Sequence, residues 1–291
     1  MSGHVIFIGA GPGAADLITI RGARAIAKAD IVIWASSLVA PDMISEHANA
    51  DAEIYDSLEM SLEDQIALYT RAAQEGLTVA RVHSGDTSLY GAIGEQIARL
   101  TEVGCTYEII PGVSAFGAGA AAFGVELTVP EVSQSIVLTR MATRTPMPAN
   151  ESIENFAAIG TTMVLFLSVK RGKALQAQLL SGGQYTEDTP VAIGYRITWP
   201  DEELRRCRLG DLATTLRELG QTRTVLIMVG PALGIDPTKP GTTSGHATRS
   251  RLYDPSFSHA LRAAVKPAGD GGQYTGDEYE PEWADIKDNP R

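Results

Sequence analysis

Three observations predict an α/β protein of two domains with a ligand cleft between them. From His4 to about Ala115, short β-rich apolar runs alternate with longer helical stretches, the pattern of a mostly parallel sheet wrapped by helices. A similar alternation resumes after 124–134, where Gly124 and Pro130 interrupt both periods. Each early strand end is followed by Gly, Ser or Pro, so unusual backbone collects at the carboxyl ends, where open α/β sheets bind ligands.

Element by element, the first unit reads as strands at 4–9 (HVIFIG), 30–34 (DIVIW), 79–83 (VARVH) and 107–110 (YEII). Helical patterns lie between them at 15–28, 61–75 and 90–103. The second unit reads as strands at 135–139, 161–167, 190–195 and 223–229, with helices near 151–157, 170–180 and 211–219. Domains are therefore expected at 1–124 and 125–236, with an extension at 237–291. That extension is rich in Gly, Pro, Thr, Ser and acid; its last twenty or so residues read as disordered, whereas 249–265 carries enough apolar residues to dock.

Composition removes several function classes. With 44% hydrophobic and 20% charged residues over 291 positions, the chain buries real cores. No apolar run approaches the roughly 20 residues that span a bilayer, and MSGHVIFIGAG lacks the basic flank of a signal peptide. A cytoplasmic protein with no membrane partner is expected. A net charge of -11 argues against nucleic acid, whose phosphates call for clustered Lys and Arg. Cys105 and Cys207 stand alone and the five histidines are scattered, so no metal site is expected.

Gly9-Ala10-Gly11-Pro12-Gly13-Ala14 fits the dinucleotide fingerprint, with Ala14 at its third position. Taken alone it suggests a nicotinamide or flavin oxidoreductase. Such a site also needs an acid at the end of the second strand, where the sequence reads Ile33-Trp34-Ala35-Ser36-Ser37. Asp30 lies at the opposite end of that strand, and Pro12 removes one amide from the turn. A purely structural turn is the other reading. Ser84-Gly85-Asp86 and Pro111-Gly112-Val113-Ser114 also read, one at a time, as ordinary turns in which Asp86 and Ser114 cap helices.

Together, these segments resemble the tetrapyrrole methyltransferase family, the class III methyltransferases, whose two α/β domains hold S-adenosylmethionine between them. The resemblance is carried by IGAGPGAADLITIRGARAIAKADIVIWASSLV (8–39), HSGDTSLYG (83–91) and IIPGVSAFGAGAAAFGVELTVP (109–130), over most of 4–235. Thr87 stands where the family's Gly-Asp-Pro loop has proline. TRMATRTPMPANESI (139–153) and SRLYDPSFSHALR (250–262) resemble the branch that methylates precorrin-4 at carbon 11 to give precorrin-5 in cobalamin biosynthesis. A cobalt-containing substrate is the near alternative; another methyltransferase of the same fold, acting on a different ring carbon, a diphthamide side chain or ribosomal RNA, is the next, and a non-catalytic donor-binding sensor is a further one.

The resemblance implies a donor pocket lined by Pro12, Ser84, Gly85, Asp86, Leu89, Ser114 and Ala115, closed by Leu167 and Ala192 at strand ends of the second domain. It also implies a homodimer. Methyl transfer from a sulfonium to an electron-rich ring carbon needs alignment more than an activated side chain. No catalytic residue is therefore assigned; Asp86 is the nearest matched acid, better suited as a donor ligand than as a base. A tetrapyrrole carries many carboxylates, which arginine grips with paired hydrogen bonds. Arg140, Arg144 and Arg196 are the expected partners, and they must overcome the repulsion of an acidic chain.

Overall fold

A computed structural model describes residues 2–235. Its first part runs β1 (His4–Gly9), α1 (Ile20–Ile26), β2 (Ile31–Trp34), α2 (Pro41–His47), β3 (Glu53–Asp56), α3 (Leu62–Glu75), β4 (Thr78–His83), α4 (Ile93–Glu102), β5 (Thr106–Ile110) and α5 (Ala115–Phe123). The second continues with β6 (Ile136–Arg140), α6 (Ile153–Ala157), β7 (Thr162–Phe166), α7 (Gly172–Ser181), β8 (Pro190–Tyr195), β9 (Glu203–Arg208), α8 (Leu212–Leu219) and β10 (Val225–Val229).

In the first sheet the order is β3-β2-β4-β1-β5, and every pairing is parallel. Alternation along the strands sends side chains to two helical layers. Ile6, Ile8, Val32 and Val82 pack with Ile26 of α1 and Met43 of α2. Val5, Phe7, Ile31 and Ile33 pack with Ile66 and Tyr69 of α3 and Leu100 of α4. The helices that follow the neighbouring strands β1 and β4 thus cover opposite faces. That reversal places the ligand crevice of such a sheet at the carboxyl ends of these two strands.

The second sheet, β6-β7-β10-β8-β9, is mixed. Only β6 and β7 run parallel; β10 is antiparallel to both β7 and β8, and β8 to β9. The sequence did not signal this, because β9 (ELRRCR) is a charged edge strand without apolar alternation. On one face, Met163, Leu165, Ile193 and Ile227 pack under α6, α7 and α8. On the other, Val164, Leu226 and Met228 receive α5 through Ala118. Gly119 makes that approach close: a Cβ there would stand 3.0 Å from Leu226 Cδ2 and 3.3 Å from Met228 Cε. Hence the helix that a division at 124 leaves with the first domain packs on the second sheet, and both sheets lie in one compact unit.

Element ends follow local chemistry. The single helix expected at 15–28 is instead a 3-10 turn at Ala15–Leu17 and then α1, because Thr19 is extended and accepts the Gly22 amide at 3.0 Å. α3 starts at a reciprocal Ser61/Asp64 capping box and stops at Gly76, whose φ is +70°. α4 begins at 93 rather than 90, since Tyr90 and Ala92 take positive φ values of 58° and 48°. The expected 249–265 island, the 250–262 segment and the tail lie outside the described residues.

Candidate active site at the glycine edge

Because the first sheet is parallel, the turns after β1, β4 and β5 share one edge. They meet at their glycines, backbone against backbone. Gly11 and Gly85 form a two-residue antiparallel bridge, with N···O distances of 3.1 and 2.7 Å, and the Ala10 amide donates to the His83 carbonyl at 2.8 Å. A Cβ on Gly9 would stand 2.6 Å from the backbone of Gly112 and 2.7 Å from the Gly85 carbonyl. A Cβ on Gly112 would collide with that same carbonyl. Only glycine permits this triple approach.

Asp86 ties the second turn to the third. Its Oδ2 accepts the Gly112 amide at 2.8 Å, while Oδ1 accepts the Ser88 amide at 2.9 Å and the Ser88 hydroxyl. Burial would raise this carboxyl; the Ser88 hydroxyl, the Gly112 amide and the Ser88 amide together outweigh it and hold it below the usual carboxylate range. A carboxylate so engaged is a brace and a poor base. Instead of capping a helix, it closes a turn.

From the second sheet, the loop after β8 reaches over the first turn. Thr198 Oγ1 accepts the Ala14 amide at 3.0 Å, and Trp199 Nε1 donates to the Pro12 carbonyl at 3.1 Å. The Trp199 ring lies so close to Gly13 that any side chain there would collide with it. Consequently the loop has few amides to offer a pyrophosphate: Gly11 donates to Gly85, Pro12 has none, and Ala14 donates to Thr198. Asp30 is held at the far edge by the Thr78 amide at 2.8 Å. The dinucleotide reading therefore loses its ribose acid and most of the amides that would cradle a pyrophosphate.

The remaining expected donor residues divide. Ser84 is exposed, Gly85 is buried with φ +66°, and Leu89, Ser114 and Ala115 are half-buried beside it. Ser114 occupies the N-cap of α5 without a side-chain cap bond, which leaves the first-turn amides unclaimed by its hydroxyl. A Cβ at Gly85 would meet nothing nearer than the Ala115 nitrogen at 3.8 Å and Ser114 Cα at 3.9 Å, so there is space above this turn. Leu167 directly follows β7 and is 67% exposed, with φ +53°. A large apolar residue held exposed in that strained conformation is a feature of ligand sites. Ala192 corrects the expectation: it sits inside β8, not at its end, and is fully buried among Val164, Met228 and Ala118. Its place is the packed layer beneath the site.

Of the expected arginines, Arg140 spends its guanidinium on its own loop, donating to the carbonyls of Met141 and Thr145 at 3.1 Å and of Pro146 at 3.0 Å. Arg196 pairs with Asp201 at 2.7 Å and lies 4.7 Å over the Trp199 ring. Arg144 is exposed and makes no ion pair among the described residues. Sequence reasoning missed Thr198 and Trp199, although Thr-Trp-Pro-Asp is a turn signature before an edge strand. It also missed Tyr90, half-exposed at positive φ, whose ring packs 5.4 Å from that of Phe166. Beneath the edge, the His83 Nε2 is buried without a hydrogen-bond partner. Burial, with the Arg81 charge second, pushes this imidazole down to about 3.

Comparison with known proteins matches residues 4–213 to the Tetrapyrrole (Corrin/Porphyrin) Methylases. The chain belongs to the tetrapyrrole methylase family. Within this family it is 43% identical over 262 residues to a cobalt-precorrin-4 C(11)-methyltransferase of Methanocaldococcus jannaschii, covering 90% of this chain and 97% of the relative. It is 42% identical over 259 residues to a precorrin-4 C(11)-methyltransferase of Sinorhizobium sp, covering 89% and 98%. Among solved structures, a cobalt precorrin-4 methyltransferase superposes with a TM-score of 0.77 at 40% identity, covering 80% of this chain and 96% of that one. The methylase fold is shared with uroporphyrin-III C-methyl transferase of Thermus thermophilus complexed with S-adenyl homocysteine, at TM-score 0.67 and 23% identity over 80% and 100% of the two chains.

Proposed function

We propose that this chain transfers a methyl group from S-adenosylmethionine to carbon 11 of precorrin-4, yielding precorrin-5 and S-adenosylhomocysteine in cobalamin biosynthesis. The observation that carries the donor half is the glycine edge: three turns packed glycine to glycine, with space above Gly85 beside the start of α5. Those residues fit the donor, whose adenosine and amino acid parts need backbone polar groups and small neighbours. Carbon 11 rests on the names of the relatives that match nearly the whole chain.

Ser84, Gly85, Leu89, Ser114 and Ala115 would hold the donor, Pro12 and Asp86 would shape its floor, and Leu167 would close it from the second sheet. When bound, the sulfonium supplies an electrophilic methyl. What the chain itself contributes is orientation. Its rigid turns fix where the methyl lies, and Leu167, Tyr90 and Phe166 exclude water around the acceptor. Displacement at carbon needs no side-chain nucleophile, and the braced Asp86 is not asked to take a proton. Arg144 is the freest candidate for a substrate carboxylate; Arg140 and Arg196 serve only if they exchange their present partners.

A cobalt-containing precorrin-4 is the second reading, favoured by the Methanocaldococcus relative. Specificity constants measured side by side for the metal-free and cobalt substrates test both; we expect turnover of the metal-free one, and turnover of neither removes the proposal. Assembly as a cytoplasmic homodimer is part of the same reading, and light scattering of the full chain at the mass of one 30.9 kDa protomer would remove that part.

A further inference from the structure

On the helix-covered side of the second sheet, between the start of α7 and the end of α8, lies an open cavity of about 550 Å³. Its wall carries Lys170, Arg171, Lys173 and Arg217 together with Gln221 and Thr222, and no acidic side chain among the described residues lines it. In a chain of net charge -11, four cations around one concavity, with no carboxylate among the described lining residues, is a concentration of charge that mutual repulsion opposes. Lys170, Lys173 and Arg217 make no ion pair among the described residues. Arg171 is held in place by the Ala142 carbonyl at 3.2 Å, a backbone partner that leaves its charge uncompensated. α7 begins there without a side-chain cap, so its first amides add to the positive potential.

The cavity begins just past the end of β7 that bears Leu167. Val169 opens its wall two residues after Leu167, within about 7 Å along the chain. Ala142, which anchors Arg171, lies in the loop that follows Arg140 at the end of β6 and carries Arg144. We propose that this pocket holds carboxylate groups from the periphery of the tetrapyrrole while the ring itself lies at the glycine edge. The inference rests on the functional reading above and supplies what that reading needs, local attraction for a polyanion on an acidic protein.

Replacing Lys170, Lys173 and Arg217 together by Gln in the full chain removes three charges from exposed positions, where side-chain exchange leaves the fold intact. The precorrin-4 KM is expected to rise about tenfold, with kcat and S-adenosylhomocysteine affinity within about twofold of the parent. Retaining charge, with Lys170→Arg and Lys173→Arg, keeps the parental KM. Uroporphyrin, a stable tetrapyrrole carrying carboxylates around its rim, gives a binding readout independent of turnover through its fluorescence, and the triple variant should bind it correspondingly less. A parent that methylates precorrin-4 beside a triple variant with unchanged KM and uroporphyrin affinity overturns the pocket and leaves the reaction standing. A parent that binds uroporphyrin in this charge-dependent way but never methylates precorrin-4 overturns the reaction and leaves the pocket. Inorganic phosphate that occupies the site without displacing uroporphyrin also overturns the pocket assignment.

Discussion

Gly85 and Gly112 lie in contact yet carry different constraints. Gly85 needs its φ of +66° but has room for a methyl, so Gly85→Ala should cost about 1 kcal/mol in urea unfolding and weaken donor binding. Gly112→Ala drives a methyl into the Gly85 carbonyl and should cost about 3 kcal/mol or more. Equal stabilities for the two variants would contradict the packing described. His83 gives a pH signature. Its folded value of about 3 lies below the ordinary 6.5, so between those values the unfolded chain binds the extra proton. Stability should thus be whole above about pH 6.5 and decline as pH falls toward 3. His83→Gln should flatten that slope between pH 5 and 6.5, above the range where carboxylates titrate, and an unchanged slope would refute the assignment. The glycines were legible because a motif names the position that cannot bear a side chain. The buried, unpartnered Nε2 of His83 was not, since it depends on packing from residues distant in sequence.

At the level of elements, the loop joining β8 to β9 links the two sheets through two hydrogen bonds to the first glycine turn. Thr198→Val leaves the Ala14 amide without its acceptor and should lower stability by about 1–3 kcal/mol, as read by thermal or urea unfolding. Donor affinity, measured by calorimetry, should fall with it, because the turn that frames the pocket loosens; full retention of both would mean that the loop merely rests there. Strands with strong apolar runs, such as HVIFIG and VLIMV, announced themselves. β3 and β9 did not, being exposed edge strands whose stability comes from a neighbour and not from their own pattern. α5 was read as a motif, but its small residues matter as a surface that lets the second sheet approach. Linkage of that kind has no local signal.

Over the whole molecule, two sheets of different construction divide the work of the site. The parallel one presents backbone at its carboxyl edge, and the mixed one supplies Thr198, Trp199, Leu167 and the cationic cavity. The two-sheet α/β plan was visible in the sequence; the antiparallel half was not, since pairing direction follows from long connections and not from composition. An acidic protein that handles a polyanion must separate its global charge from its local field, and the cations clustered on the second sheet are where the proposal puts that separation. The most direct measurement is carbon-13 NMR of the product formed from precorrin-4 and S-adenosylmethionine labelled in its methyl group. The account predicts one labelled methyl, bonded to carbon 11 of the ring. A label on another ring position, or none on the tetrapyrrole at all, would contradict it.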